Sequence, residues 1–348
     1  MTKSLTTISL ALDWTPNTNH IGFYVARAKG FYADEGLELR VVSPHVDGYQ
    51  ATPCSRLTER TVDLAISPKE SVVSFHTWPQ AAKPKIVAIA TMVQKVTHAV
   101  VTLKSSGIDR PAKLAGKRYA SYAARYEGRM VQELIKADGG SGEYIEDTPE
   151  MLGIWNTVLA GKADATWVFL SWEGVEAARA GVELNVFKFE DYGIPLGYSP
   201  VLIAHPETLE QRPEQVARFL AATAKGFQFA AAHPDEAAAI LVDLVAADTA
   251  ALPLPTPLDP EMVRDSARLI AADLLDSTGA WGRMDEAVWS KFLDWISDAG
   301  LLTTKVQSRK HGSEQTTSLD GLRSGDAGER VPRSSIRASD LFSNRFLP

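Results

Sequence analysis

A single cysteine, Cys54, is found among 348 residues. One thiol excludes an internal disulfide and any thiolate cluster built from one chain, and with them iron–sulfur and cysteine-rich zinc sites. Its surroundings, ATPCSRL, form no recognised nucleophile signature, so a buried structural thiol is expected. No run of about 18 uncharged apolar residues occurs, which argues against a transmembrane helix. Basic excess is missing too: 36 Lys and Arg face 43 Asp and Glu, a formal net charge of -7, so nucleic acid is not an expected partner. His76, His98, His205 and His233 show no H-E-x-x-H spacing, so no metal site is expected, and no G-x-S-x-G, P-loop or G-x-G-x-x-G is present. The opening MTKSLTTISLALDW has an apolar stretch broken by Thr6, Thr7, Ser9 and Asp13. It reads as neither a secretory leader nor a lipoprotein start, and the expected location is the cytoplasm.

What is present is a regular alternation. LTTISLAL, LELRVVS, TVDLAIS and KPKIVAIATMV read as strands from their β-branched and apolar content, with helical segments such as HIGFYVARAKGF between them. The same pattern runs from about 100 to 195, through HAVVTLK, KRYASYA, RMVQELIKADG, GEYIEDT, MLGIWNTVLAGK, ADATWVFL and VELNVFKF. GYSPVLIA is one more strand, and from 207 onward the chain is strongly helical, with His233-Pro234 dividing two helices. Such alternation predicts an α/β fold with mixed, mostly parallel sheets covered by helices. The length suits two lobes. Their expected extents are 1–100 plus 196–302 for lobe 1 and 101–195 for lobe 2, with 303–348 an irregular tail packing on the surface.

Ligands of open α/β sheets sit beyond the carboxyl ends of the strands, so the residues after each strand are the candidates. Trp14 is placed to stack on a heteroaromatic ring, or else to plug the sheet end. Asp13 and Asn17 could read ring nitrogens and an exocyclic amine, or cap the next helix. His20 opens that helix and is a pocket residue or a packing one. Ser67 and Ser71 flank a strand-to-helix turn that could hold a polar group. Ser67 with Glu70 three residues on also fits a capping box. Trp167 and Glu173, with Trp172, could close from the second lobe. Tyr192 and Tyr198 flank a crossover in which Gly193 and Gly197 suit a hinge.

The run LALDWTPNTNHIGFYVARAKGFYADEGLEL resembles the opening of the thiamine-pyrimidine synthase and pyrimidine-binding group, a branch of the solute-binding proteins of ABC importers. VDLAIS, KLAGKRYASY, LAGKADATWVF and DYGIPLGYSPVLIA fit the same group in the same order. The resemblance implies a two-lobed, type II periplasmic-binding-protein-like fold that grips its ligand at the hinge. It implies that Ser121–Gly128, with Tyr122, Arg125, Tyr126 and Glu127, faces a phosphate or carboxylate, Arg125 or Arg129 adding charge-assisted bonds.

In the similar synthases a lysine holding pyridoxal phosphate, a nearby histidine and a cysteine-rich stretch supply the chemistry. Here Ser67 and Ser71 fall at the lysine and histidine positions, Lys69 and His76 lie out of register, and the thiol-bearing stretch falls on Gly197–Val201. The expected function is therefore binding of a thiamine-precursor aminopyrimidine without a cofactor. The alternatives are a pyridoxal-phosphate-dependent synthase using Lys69 and His76, and an importer receptor for another solute such as a sulfonate. Partner readings left open are an ABC importer, if the chain is exported, and a homodimer.

Overall fold

A computed structural model describes residues 5–78, 84–309 and 315–348. Lys83 of the fourth expected strand, the first four residues of the first lobe and 310–314 of the tail lie outside the described residues. Ten strands form two five-stranded sheets. They are β1 (Thr6–Ala11), β2 (Leu37–Val42), β3 (Leu64–Ser67), β4 (Val87–Thr91), β5 (His98–Leu103), β6 (Arg118–Ala120), β7 (Ile145–Asp147), β8 (Ala165–Phe169), β9 (Leu184–Phe187) and β10 (Val201–Ala204). One sheet has the order β2-β1-β3-β10-β4, the other β7-β6-β8-β5-β9.

The sheets are mixed and mostly parallel, as expected: in each, four strands run one way and one runs against them. β1 runs parallel to β2 and β3, and β6 parallel to β7 and β8, whereas β10 and β5 are antiparallel to both of their neighbours. The cause is the connection. β5 and β10 follow the two crossings between the sheets, and a strand arriving from the other lobe enters against the grain of its βαβ neighbours.

Strands buried on both faces must be apolar throughout. Leu10, Leu64 and Ile66 pack, on one side, with Ile21, Phe23, Phe219 and Phe227 of the helices Ile21–Ala28 and Pro213–Ala232. Those two helices meet at glycine. A Cβ on Gly226 would stand 2.0 Å from the Gly22 carbonyl oxygen, and one on Gly22 would stand 2.1 Å from the Phe227 ring. No side chain larger than hydrogen fits that crossing. Cys54 is buried in the neighbouring core, as a structural thiol should be.

The C-terminal stretch holds more order than an irregular surface tail. Val306–Gln307 pairs in parallel with Thr316–Thr317, and Leu319, Leu322, Ile336 and Leu341 are buried. It fastens to both lobes. Gln307 Oε1 accepts the Gly128 N–H at 2.9 Å, while Ala88 of β4 donates to the Leu341 carbonyl at 2.9 Å and accepts from Ser343 at 2.9 Å. Among the described residues no helix is long and apolar enough to cross a membrane.

Candidate functional site

A cavity of about 520 Å³ opens where the carboxyl ends of β1, β6 and β8 face one another. Trp14 and Thr15 wall it from the first lobe; Tyr122, Trp155, Trp172 and Glu173 wall it from the second; Thr256–Asp259 and Met262 close it from the helical C-terminal part. The Trp14 ring meets Tyr122 edge-on, centroids 5.5 Å apart at 78°, and Tyr49 at 5.2 Å and 60°. It is half-buried, with its edges fixed by two tyrosines, and it lines the cavity rather than plugging the sheet end.

The turn that carries Trp14 is held from behind. Asn17 accepts the Asn19 N–H at 2.9 Å and donates to the Thr15 carbonyl at 3.0 Å, so it serves as a cap. His20 is fully buried; its Nδ1 accepts the Asn17 N–H at 3.2 Å, which leaves the proton on Nε2 to be donated to Asp13 Oδ1 at 2.9 Å. Asp13, Asn17 and His20 thus form one hydrogen-bonded brace. Of this turn, only Trp14 and Thr15 line the cavity.

Glu173 stands at the first turn of the helix Glu173–Arg179 and accepts the Phe169 N–H at 2.9 Å. Burial pushes its carboxyl up to about 7. Glu176, one turn on, is raised for the same reason. Desolvation, then the Glu173 and Glu127 charges, push the Tyr122 phenol well up, so it is a neutral hydroxyl at any physiological pH.

The segment expected to face an anion is arranged otherwise. Glu127 is buried and its carboxylate accepts from the Tyr119 hydroxyl at 2.9 Å, the Tyr122 N–H at 3.1 Å and the Ala124 N–H at 2.9 Å. The Ala123 N–H is taken by Ser121 Oγ at 2.9 Å. Ala123 and Tyr126 sit at φ 50° and 66°, left-handed conformations that cost energy for side-chain-bearing residues, and the Glu127 bonds hold that loop in shape. Burial pushes the Glu127 carboxyl up to about 7. Arg125 lies over the Phe75 and Trp78 rings, 5.2 and 5.8 Å from their centroids, with Ser71 Oγ 3.5 Å away. Tyr126 is buried in the core, and burial raises its phenol. Of the four expected here, only Tyr122 lines the cavity.

Other expected positions also serve the scaffold. Ser67 and Glu70 form no capping box. Pro68 occupies the N-cap, Ser67 Oγ donates to the Pro68 carbonyl at 3.0 Å, and Glu70 turns to Lys69. Trp167 donates from Nε1 to His98 Nδ1 at 2.9 Å and stacks on that ring, away from the cavity wall. Burial keeps His98 neutral by lowering it to about 3. Tyr192 ends the short turn Phe189–Tyr192 and packs on the core, and its phenol is raised by burial.

Pyridoxal phosphate does not fit these residues. Lys69 is fully buried, its Nζ 3.0 Å from Glu70 Oε1 and 3.2 Å from the Phe292 ring centroid, and burial lowers its pKa. His76 lies seven residues along the same helix, about 10 Å away at the helical rise, and pairs through Nε2 with the Ile86 carbonyl at 3.1 Å. The amides suited to a phosphate already hold Glu127.

Sequence reasoning missed Trp155, Asn156, Arg179 and the 256–262 wall. They lie on or before helices rather than after strands. The one available signal was Asp259-Pro260, a helix start whose Asp259 caps by accepting from Glu261 and Met262.

The comparisons agree with this architecture. Over 295 residues the chain is 25% identical to a formylaminopyrimidine-binding protein of Halalkalibacterium halodurans, covering 84% of this chain and 86% of the relative. It is 27% identical over 240 residues to the 4-amino-5-hydroxymethyl-2-methylpyrimidine phosphate synthase of Legionella pneumophila, covering 67% and 72%. The alkanesulfonate-binding protein SsuA of Xanthomonas axonopodis pv. citri, solved bound to MOPS, superposes with a TM-score of 0.62 at 12% identity, covering 87% of this chain and 96% of that one. The periplasmic nitrate-binding protein NrtA of Synechocystis superposes at 0.64 and 12%, covering 98% and 87%. These likenesses show a two-lobed solute-binding-protein fold. Residues 17–237 match the family described as NMT1/THI5 like, and the chain belongs to it.

Proposed function

We propose that this protein is the receptor of an importer and captures a thiamine-precursor aminopyrimidine between lobes formed by 1–100 with 196–302 and by 101–195. The observation that carries the reading is the meeting of Trp14 and Tyr122 across a cavity whose polar lining includes Glu173. A flat heterocycle gains apolar contact from Trp14, Trp155 and Trp172, and its exocyclic amine gains an acceptor in Glu173. Asp13, Asn17 and His20 act by positioning Trp14. Glu127 acts by positioning Tyr122, while Ser67, Ser71, Arg125, Tyr126, Trp167 and Tyr192 support the scaffold.

The relative of Halalkalibacterium halodurans carries a formylaminopyrimidine in its name, which supports the ligand class. An importer receptor works outside the cytoplasmic membrane. This reading therefore sets aside the cytoplasmic location expected from the N-terminal stretch, and the periplasmic neighbours support the change.

The test is a tryptophan-fluorescence titration with 4-amino-5-hydroxymethyl-2-methylpyrimidine and its formylaminomethyl analogue. Saturable quenching that is lost in Trp14→Phe is the expected result. No response to either pyrimidine, beside a clear response to a short alkanesulfonate, rejects the reading.

A further inference from the structure

The cavity wall has an unbalanced charge. Among the described residues Glu173, Glu176 and Asp259 line it, against one cation, Arg179. That cation is already answered, because Arg179 pairs with Asp265 at 2.5 Å. The nearby guanidinium groups are engaged as well. Arg125 lies over two aromatic rings, and Arg309 donates to the carbonyls of Ser121, Tyr122, Thr148 and Pro149 at 2.6–3.3 Å.

A run of three amides beside Tyr122 would otherwise suit an anion. It is filled from within the chain: Glu127 takes the Tyr122 and Ala124 N–H groups and Ser121 takes that of Ala123. Above pH 7, where Glu173 has lost its proton, an incoming phosphate monoester would meet three carboxylates and, among the described residues of the wall, no uncommitted donor of matching charge, and desolvating it there has no compensation.

Resting on the proposed capture of an aminopyrimidine, we infer that the cleft admits its heterocycle only in the phosphate-free form, neutral or cationic. Glu127 sets this preference by filling the amide cradle with the protein's own carboxylate, and Glu176 reinforces it from the cavity wall. The fold neighbours named for alkanesulfonate and nitrate show that the same scaffold is compatible with anion binding, so the exclusion belongs to these side chains rather than to the architecture.

Calorimetric titration at pH 8 with 4-amino-5-hydroxymethyl-2-methylpyrimidine, its phosphate monoester and methanesulfonate tests the inference. The monoester is expected to bind at least ~100-fold more weakly than the free pyrimidine, as like charges facing without a counterion require. In Glu127→Ala, which empties the cradle, and in Glu176→Gln, which leaves the loop untouched, that ratio falls by ~10-fold. A purely structural role for Glu127 weakens both ligands alike and leaves the ratio where it was, and an unchanged ratio in both variants overturns the assignment. A monoester that binds as tightly as the free pyrimidine, or methanesulfonate binding tighter than it, overturns the charge preference while the cleft remains a binding site. No binding of any probe removes the proposed function, and the inference falls with it.

Discussion

Trp14 and Tyr122 come from different sheets and meet edge to face, ring centroids 5.5 Å apart. Each is held in place by a carboxylate that does not line the cavity. Asp13 holds the Trp14 turn through His20, and Glu127 holds the Tyr122 loop through two backbone amides. Asp13, Asn17, His20 and Glu127, which look like ligand readers in the sequence, thus brace two of the residues that line the cavity.

Trp14→Ala removes the flat surface from the cavity wall at little cost to the core, because the ring is only half-buried. Affinity for the aminopyrimidine is expected to fall by ~1–3 kcal/mol, about 5- to 150-fold. Calorimetry should show this with a melting temperature within a few degrees of the parent.

Two buried carboxyls give stability a particular pH dependence. In the folded chain Glu127 and Glu173 keep their protons up to about 7, whereas their ordinary value is 4.5. Between those values the folded state binds more protons, so the stability they contribute is complete below pH 4.5 and lost as pH rises through 7. Glu173→Gln cannot titrate. Thermal melts between pH 5 and 8 should show a shallower decline in that variant than in the parent, and parallel declines would contradict the burial argument.

The helix crossing gives a stability prediction independent of the ligand. Gly226→Ala forces a methyl group to 2.0 Å from the Gly22 carbonyl oxygen, a backbone atom that cannot swing aside. A loss of ~3 kcal/mol or more is expected, at the upper end of overpacking costs. Urea unfolding measures it.

Lys69 separates binding from pyridoxal chemistry. Its ammonium pairs with Glu70 at 3.0 Å in a fully buried site. Incubation with pyridoxal phosphate and then borohydride should leave no adduct on Lys69 by peptide mass spectrometry. Lys69→Ala should destabilise by ~3–5 kcal/mol, because Glu70 is left buried without its partner.

Much of the architecture was legible in sequence because buried strands need continuous apolar, β-branched runs, and LTTISLAL and TVDLAIS are such runs. Looking just after the strands picked out Trp14, Tyr122 and Glu173, which line the cavity. It could not say which way a side chain turns once there. Ser67 looked like a cap, but Pro68 took the cap position and Glu70 found a buried ammonium instead. Arg125 looked like an anion holder, but Phe75 and Trp78, some fifty residues earlier, offered their rings. The 256–262 wall comes from the far end of the chain, and no local pattern announces a partner that only tertiary packing brings near. That β10 and β5 are the strands reversed in otherwise parallel sheets was hidden likewise, since it follows from where the chain crosses between lobes.

The most direct measurement is a crystal structure of the protein grown with 4-amino-5-hydroxymethyl-2-methylpyrimidine. The account expects the ring against the Trp14 indole, with its amino group in hydrogen-bond reach of Glu173. A pyrimidine seated elsewhere, or a cavity around Trp14 that stays filled with solvent at saturating ligand, would contradict it.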